Sequence, residues 1–165
     1  MKITFMPKGI LQIDEARIVY RNFSGIGSKY NREGDRNFAV VIPTEDLAER
    51  LSDDGWNVKV KPNRDSVGNI DHDEPPFMYL PVKVKFNERG PVVYLKSGNR
   101  MAKLDEETIS RLDKVDIMNV DLDLRPYDWE VNGKTGRTAY LQSICVTQHI
   151  DRFAARYAEE EYPEE

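Results

Sequence analysis

Basic and aromatic side chains lie among three glycines in residues 24–37, which include Lys29, Tyr30, Arg32 and Arg36. Lysine and arginine supply positive charge, tyrosine supplies a flat ring, and glycine allows a ligand to approach the backbone closely. This combination suits a flexible polyanion with exposed rings, and single-stranded nucleic acid is such a ligand. The competing interpretation is a solvated loop whose basic residues only maintain solubility.

The segments on either side of this loop have the composition of strands. Residues 18–23 and 38–42 are rich in β-branched and aromatic side chains, which favour strands. A hairpin needs only about two to five loop residues, and this loop is longer. Extra length in a loop more often serves function than structure, so we expect a binding site here.

A second set of basic and aromatic residues follows a period of two. Residues 77–86 alternate so that one face is apolar, while the other is aromatic at one end and cationic at the other. After a turn at residues 89–91, residues 92–96 alternate again, and we expect the two strands to form a hairpin. The outward side chains of this hairpin are predicted to be Tyr79, Lys83, Lys85, Tyr94 and Lys96. The alternative is that a second layer buries Phe77, Tyr79 and Tyr94.

A third set lies in a long strand over residues 118–131. Its apolar side chains occupy every second position. Arg125 belongs to the alternate, outward-facing set, and Tyr127 and Trp129 follow it in the chain. A turn signal at residues 132–136 precedes a returning strand over residues 138–147, which predicts a hairpin. We expect Tyr127 and Trp129 to form a platform on which bases stack.

Charge is unevenly distributed over the 165 residues, whose formal net charge is -5. Residues 159–165 contain five acids and no base, which leaves 24 acidic and 24 basic residues in the rest. Residues 79–103 contain six bases and one acid. A neutral body with a local concentration of positive charge is compatible with a polyanion-binding groove.

Composition also limits the class of protein. Hydrophobic residues make up 39% and charged residues 32% of the chain, as in a globular protein that folds without help. No apolar run approaches the roughly 20 residues that span a bilayer, the segment MKITFMPKG lacks the long apolar region of a signal peptide, and Cys145 is the only cysteine. We expect no membrane contact, no disulfide, no thiolate metal cluster and a cytoplasmic location.

The order of elements predicts a mainly β protein. We count six or seven strands and two short helices, over residues 44–55 and 104–115, linked by turns. This order favours a β-barrel like the oligonucleotide/oligosaccharide-binding (OB) fold, which holds single strands with one strand face and two long loops. We predict one nucleic-acid-binding domain over residues 1–150, followed by a weak helix and a disordered acidic tail over residues 151–165.

Three segments resemble a known family: RIVYRNFSGIGSKYNREGDRNFAVVI, LSDDGWNVKV and VDLDLRPYDWEVNGKTG. They are similar to phage-encoded single-stranded DNA-binding proteins of the OB fold, and the resemblance covers roughly residues 10–147. It implies a non-catalytic protein that coats single-stranded DNA in phage replication or recombination, in the cytoplasm of the host. It also implies that the acidic tail contacts replication or recombination proteins, and a homo-oligomer is compatible with it. The tail residues are Glu159, Glu160, Glu161, Glu164 and Glu165.

The predicted interface combines cations that pair with phosphates and rings that stack on bases. The cations are Arg21, Lys29, Arg32, Arg36, Lys83, Lys85, Lys96, Arg100 and Arg125. The rings are Tyr30, Tyr79, Tyr94, Tyr127 and Trp129, whereas Trp56 shares the parity of core valines and is assigned to the core.

Two other functions are compatible with the sequence. A metal-dependent nuclease or phosphoesterase could use Asp71, His72, Asp73 and Glu74, although four adjacent residues converge on one ion only if the loop wraps around it. A solvated acidic loop is the simpler interpretation, and we expect no metal and no cofactor. The second alternative is a small acidic protein that binds and inhibits a host defence protein.

Overall fold

A single ten-stranded sheet forms the framework of the computed structural model, which describes residues 1–150. The predicted weak helix and acidic tail, residues 151–165, lie outside the described residues. The strands are β1 (Lys2–Phe5), β2 (Leu11–Asp14), β3 (Ile18–Asn22), β4 (Arg36–Val41), β5 (Lys59–Lys61), β6 (Phe77–Val84), β7 (Val92–Ser97), β8 (Arg100–Leu104), β9 (Ile117–Val131) and β10 (Lys134–Gln148). One α-helix, α1 (Glu45–Asp54), and two short 3₁₀ helices, Pro7–Gly9 and Ile109–Asp113, complete the described elements.

The sheet is open. Its main path runs β1–β2–β9–β10–β6–β4–β3, with β5 paired to β6 and with β7 paired to β10 and β8. Within residues 1–150 the end strands β1 and β3 do not pair with each other, so the prediction of a closed barrel was wrong. The 3₁₀ helix Ile109–Asp113 lies next to β3, and the Arg21 side chain of β3 donates hydrogen bonds to the carbonyls of Leu112 and Val115 at 2.7 and 2.9 Å. The prediction of a mainly β fold is confirmed.

The long hairpin of β9 and β10 is the centre of the sheet, and it confirms the hairpin expected from the alternation. Its turn consists of Asn132 and Gly133, with φ of 52° and 78°. Two consecutive positive φ values are what a two-residue turn of the favoured hand requires. Leu122, Leu124 and Ile144 of this hairpin are buried on the core side.

Strands β6 and β7 do not form the predicted hairpin. Both run parallel to β10 on the same edge, β6 at Val82–Lys83 and β7 along its whole length, while β8 returns against β7. This arrangement lets Val82, Val93 and Leu95 all enter the core. The apolar faces of β6 and β7 are therefore directed into the core by pairing with β10 rather than by pairing with each other.

The helix expected at residues 44–55 is confirmed, with the Thr44 hydroxyl accepting from the Leu47 N–H and with Gly55 ending α1 at φ 109°. The second predicted helix, over residues 104–115, was wrong, because only the 3₁₀ turn Ile109–Asp113 forms. The Asp105 side chain is bonded to Thr108, and this hydrogen bond lowers the pKa of Asp105. Bonds of this type cap the first turn of a helix, and here only the short 3₁₀ turn follows the cap.

The core is one cluster of apolar side chains, most of them from the strands, with Ala48 and Leu51 from α1. It includes Trp56, which is 3% exposed. The assignment of Trp56 to the core is thus confirmed. No helix within the described part of the chain is long and apolar enough to cross a membrane.

Candidate nucleic-acid interface

One surface of the sheet, here called the front face, carries the side chains that point away from the core. Across β6, β10 and β9 it presents Lys83, Tyr140 and Arg125, which are directly paired in register. Asn37 of β4 continues this line beside Lys83. Residues paired in register lie on the same side of a sheet, so these four residues form one continuous band, here called the central row.

Two exposed rings extend the central row along the hairpin. Tyr127 packs edge-on against Tyr140 with 6.0 Å between ring centroids, and Trp129 follows Tyr127 on the same face of β9. Tyr127 is 53% and Trp129 38% exposed. The Arg125 guanidinium lies 5.3 Å from the centroid of the Tyr140 ring. A cation and two open rings are thereby held within one short stretch of the surface.

A second group of rings lies farther along β6. Tyr79 and Phe77 pack with their centroids 5.5 Å apart, and Tyr20 packs edge-on against both, at 5.7 and 6.1 Å. Lys59 and Lys61 of β5 are paired in register with Tyr79 and Phe77. Within residues 1–150 these rings shield one another and leave Tyr20 58% exposed, and they are not covered by a second layer.

The loop over residues 24–35 has internal order. Asn31 donates its side-chain amide hydrogens to the carbonyls of Ile26 and Asp35 at 2.9 and 3.0 Å, and the backbone N–H of Gly34 donates to Gly25 at 2.8 Å. These bonds give the loop a defined conformation in which its glycines and polar side chains are held together.

The same loop joins the central row and presents charge outward. The Asn37 side chain donates to the Asn31 side-chain oxygen at 2.9 Å. Lys29, Tyr30 and Arg32 are exposed, Tyr30 by 90%. The structure therefore places the loop that carries this predicted group at the Asn37 end of the central row.

Four further predicted residues lie on β7 and β8 or directly after β6. Lys85 follows β6 and is exposed. Tyr94 and Lys96 of β7 lie on the front face, paired with Cys145 and Thr147 of β10, and Arg100 begins β8. This part of the face carries acidic as well as basic side chains.

The acids of this part of the front face lie on β9, next to β10. Asp123 is paired in register with Ser143, and Asp121 with Cys145. By contrast, neither Lys83 nor Arg125 has a carboxylate partner within residues 1–150. The first region has mixed charge, because Lys96 and Lys103 lie there beside the two carboxylates, whereas the second is cationic. A polyanion is attracted more strongly to the second region, so the charge pattern favours the half of the face that contains the central row.

Arg21 and Arg36 are held by the fold. Arg21 binds the two carbonyls described above, and Arg36 donates to the Phe23 carbonyl at 3.0 Å and forms an ion pair with Glu106 at 3.5 Å. Arg36 also lies 5.7 Å from the ring centroid of Phe86. These two arginines are predicted interface residues whose guanidinium groups are engaged inside the protein.

The structure adds residues that the sequence analysis missed. They are Tyr20, Lys59, Lys61, Phe77 and Tyr140. Tyr140 had a usable signal, since it alternates with the apolar Ala139 and Leu141 and so had to face away from the core. Tyr20 had none, because its φ of 54° interrupts the regular alternation of β3.

Residues 71–74 lie in the irregular segment before β6. Over residues 1–150, no three His, Cys, Asp or Glu side chains are arranged to hold a metal ion. Asp71 accepts a hydrogen bond from the Asp73 N–H at 3.0 Å, as in an ordinary polar turn.

Comparison with known proteins gives a family and a fold. The family model described as "Putative phage ssDNA-binding domain" matches residues 2–165. No curated protein sequence matches the chain.

Among solved structures, the fold is similar to the single-stranded DNA-binding protein from bacteriophage Enc34, with 14% identity, a TM-score of 0.53, and coverage of 92% of this chain and 87% of that one. A C-terminal truncation of that protein gives 11% identity, a TM-score of 0.52, and coverage of 90% and 91%. Its complex with ssDNA gives 12% identity, a TM-score of 0.51, and coverage of 92% and 93%. With nearly the whole sequence matched by the family model, the chain belongs to the family of phage single-stranded DNA-binding domains.

Proposed function

We propose that this protein binds and coats single-stranded DNA, without catalysis, during phage DNA replication or recombination. Membership of the family supports single-stranded DNA as the ligand. The observation that carries the proposal is the central row, in which Lys83, Tyr140 and Arg125 are adjacent across three strands and are continued by the exposed rings of Tyr127 and Trp129.

The cations of the central row and the two rings that extend it have distinct tasks. Lys83 and Arg125 bind phosphates, because neither is neutralised by a carboxylate within residues 1–150. Tyr127 and Trp129 stack on bases, and such stacking tolerates any sequence because every base has a flat face. Duplex DNA keeps its bases paired and stacked, so the rings discriminate in favour of single strands.

The loop over residues 24–35 and the Tyr20–Phe77–Tyr79 group extend the same path. Lys29, Tyr30 and Arg32 are exposed in the loop that joins the row at Asn37, and Lys59 and Lys61 flank the second group of rings. We assign the strand-face-plus-loop arrangement to the OB type, which in general is only partly closed.

A phage protein with this ligand acts where phage DNA is copied, so we place it in the host cytoplasm. We also propose that the C-terminal acidic residues contact replication or recombination proteins and that coating proceeds through several copies of the protein on one strand.

Fluorescence anisotropy with labelled single-stranded DNA, duplex DNA and RNA of one sequence tests the proposal at two salt concentrations. We expect tight binding to single-stranded DNA, weaker binding to duplex, and affinity that falls as salt rises, because phosphate contacts release counterions. Adding Mg²⁺ to the same samples and resolving the oligonucleotides on a gel provides a second arm. Degradation of the labelled oligonucleotide would contradict a non-catalytic role. Equal affinity for single strands and duplex would contradict stacking as the basis of binding.

A further inference from the structure

The indole of Trp129 occupies the space beside Gly136 that a side chain would otherwise fill. The two residues are paired directly across β9 and β10. A Cβ atom placed on Gly136 would lie 2.3 Å from Cζ2 and 2.7 Å from Cε2 of the indole. Both distances are far shorter than a carbon–carbon contact of about 3.5–4.0 Å, so the ring rests on the bare backbone of β10.

The backbone itself does not demand glycine at this position. Gly136 lies within the extended strand β10, and it is not among the glycines with positive φ. Glycine inside a strand often marks a site where another group approaches the backbone closely. At Gly136 the approaching group is the indole of Trp129.

The opposite side of the hairpin is fixed at the same level. Arg137 donates to the Asp128 carboxylate at 2.7 Å and to the Asp54 carbonyl at the end of α1 at 2.8 Å. Its guanidinium also lies 5.1 Å from the centroid of the buried Trp56 ring. These contacts tie the hairpin to the body of the protein at the point where Gly136 supports the indole.

We propose that Gly136 is a positioning residue that sets the orientation of the Trp129 ring for stacking on a DNA base. The inference rests on the proposed function and adds a residue that has neither charge nor ring. One side of the indole is packed on the strand, and the side chain remains 38% exposed for a ligand. A ring that is already oriented loses less conformational freedom on binding, which strengthens affinity.

The test uses full-length protein and four variants: Gly136→Ala, Trp129→Ala, the double variant, and Thr135→Ala as the control. Thr135 is the exposed neighbour of Gly136 on β10 and is paired with Glu130. Successive residues of a strand face opposite sides, so its replacement perturbs the strand on the side away from the indole. For each protein, affinity for labelled single-stranded DNA and the thermal midpoint are measured. The two tryptophan N–H resonances are recorded by NMR, and the resonance that Trp129→Ala removes is that of Trp129.

We expect Trp129→Ala to weaken binding about 5- to 150-fold, the range for loss of one stacked base. Gly136→Ala should weaken binding at least about 3-fold, shift the Trp129 resonance and leave the thermal midpoint nearly unchanged, since alanine suits a strand no worse than glycine. The double variant should bind like Trp129→Ala alone, because Gly136 acts through the ring. Thr135→Ala should bind like the unmodified protein.

Three results would overturn the inference: unchanged affinity in Gly136→Ala, additive losses in the double variant, or an equal loss in Thr135→Ala. An unmodified protein that fails to bind single-stranded DNA would instead overturn the proposed function, so the two failures are distinguishable.

Discussion

The guanidinium carbon of Arg125 lies 5.3 Å from the centroid of the Tyr140 ring, and the two residues are paired directly across β9 and β10. Stacking on a ring holds a guanidinium in place without using its N–H donors. Within residues 1–150, Arg125 forms no ion pair with a carboxylate. Arg125 is therefore both oriented and available, whereas the guanidinium groups of Arg21 and Arg36 are already bonded.

The first prediction concerns salt dependence. Replacing Lys83 and Arg125 with glutamine should weaken binding to single-stranded DNA and reduce the slope of log affinity against log salt by about 0.7 for each phosphate that the protein no longer neutralises. Affinity titrations over a series of salt concentrations measure that slope. Lys2→Gln, at the β1 end of the sheet, is the matched control and should keep the original slope. A double variant with an unaltered slope would show that these cations do not contact phosphates.

The second prediction distinguishes a ring that stacks on a DNA base from a ring that supports neighbouring interface side chains. Tyr127→Ala should cost on the order of 1–3 kcal/mol of binding free energy with little change in the thermal midpoint, because Tyr127 is 53% exposed. Tyr140→Ala should lower both the affinity for single-stranded DNA and the thermal midpoint, since Tyr140 contacts Tyr127 and Arg125. Anisotropy and thermal melts on the two variants give the comparison. If Tyr127→Ala unfolds the protein, the ring is part of the core and the assignment of the face is wrong.

The third prediction concerns an arginine in a structural position. Arg21→Ala should lower the free energy of unfolding by about 1.5–3 kcal/mol, since it removes charged hydrogen bonds to the Leu112 and Val115 carbonyls. Affinity for DNA should change little at temperatures where the variant is folded. Arg32→Ala, in the exposed loop, should show the reverse pattern. Denaturant unfolding with parallel binding curves distinguishes the two, and strong loss of affinity in a stable Arg21→Ala protein would restore Arg21 to the interface.

The fourth prediction concerns acid. The hydrogen bond from Arg137 lowers the pKa of Asp128 below its ordinary value of 3.8. A carboxylate with a lowered folded-state pKa stabilises the fold above its unfolded-state pKa, and this contribution is lost as pH falls through the folded value. The difference in thermal midpoint between the unmodified protein and Asp128→Asn should therefore be present near pH 7 and shrink below about pH 3.8. A difference that stays constant over this range would mean that the ion pair does not stabilise the hairpin.

The fifth prediction concerns the acidic C-terminus, which lies outside the described residues. Its residues 159–165 carry five acids, and we expect them to compete with DNA for the cationic front face. Exposed charges are screened beyond about 8 Å at physiological ionic strength, so this competition requires contact and fades with added salt.

Deleting residues 159–165 should tighten binding to single-stranded DNA at low salt, change little at high salt, and leave the thermal midpoint nearly unchanged. Titration of both proteins against one labelled oligonucleotide at the two salt levels measures the effect. Identical curves at low salt would exclude competition, and the same truncation should weaken binding to any replication partner that recognises the acids.

The sequence by itself determined the local features of this protein. Alternation and the Asn132–Gly133 turn specify the β9–β10 hairpin, and Thr44 and Gly55 specify the ends of α1. These signals are readable because a strand exposes alternate residues and a helix end needs particular caps, whatever lies elsewhere in the chain.

Tertiary structure decided which distant segments become neighbours. Only the pairing of β6 with β10 and of β10 with β9 places Lys83, Tyr140 and Arg125 in one row. Periodicity reports which side chains face the core, but it does not report which strand lies alongside, because that choice depends on side-chain packing over the whole sheet. For the same reason the sequence alone did not reveal that β7 pairs with β10 rather than with β6, or that Trp129 rests on Gly136.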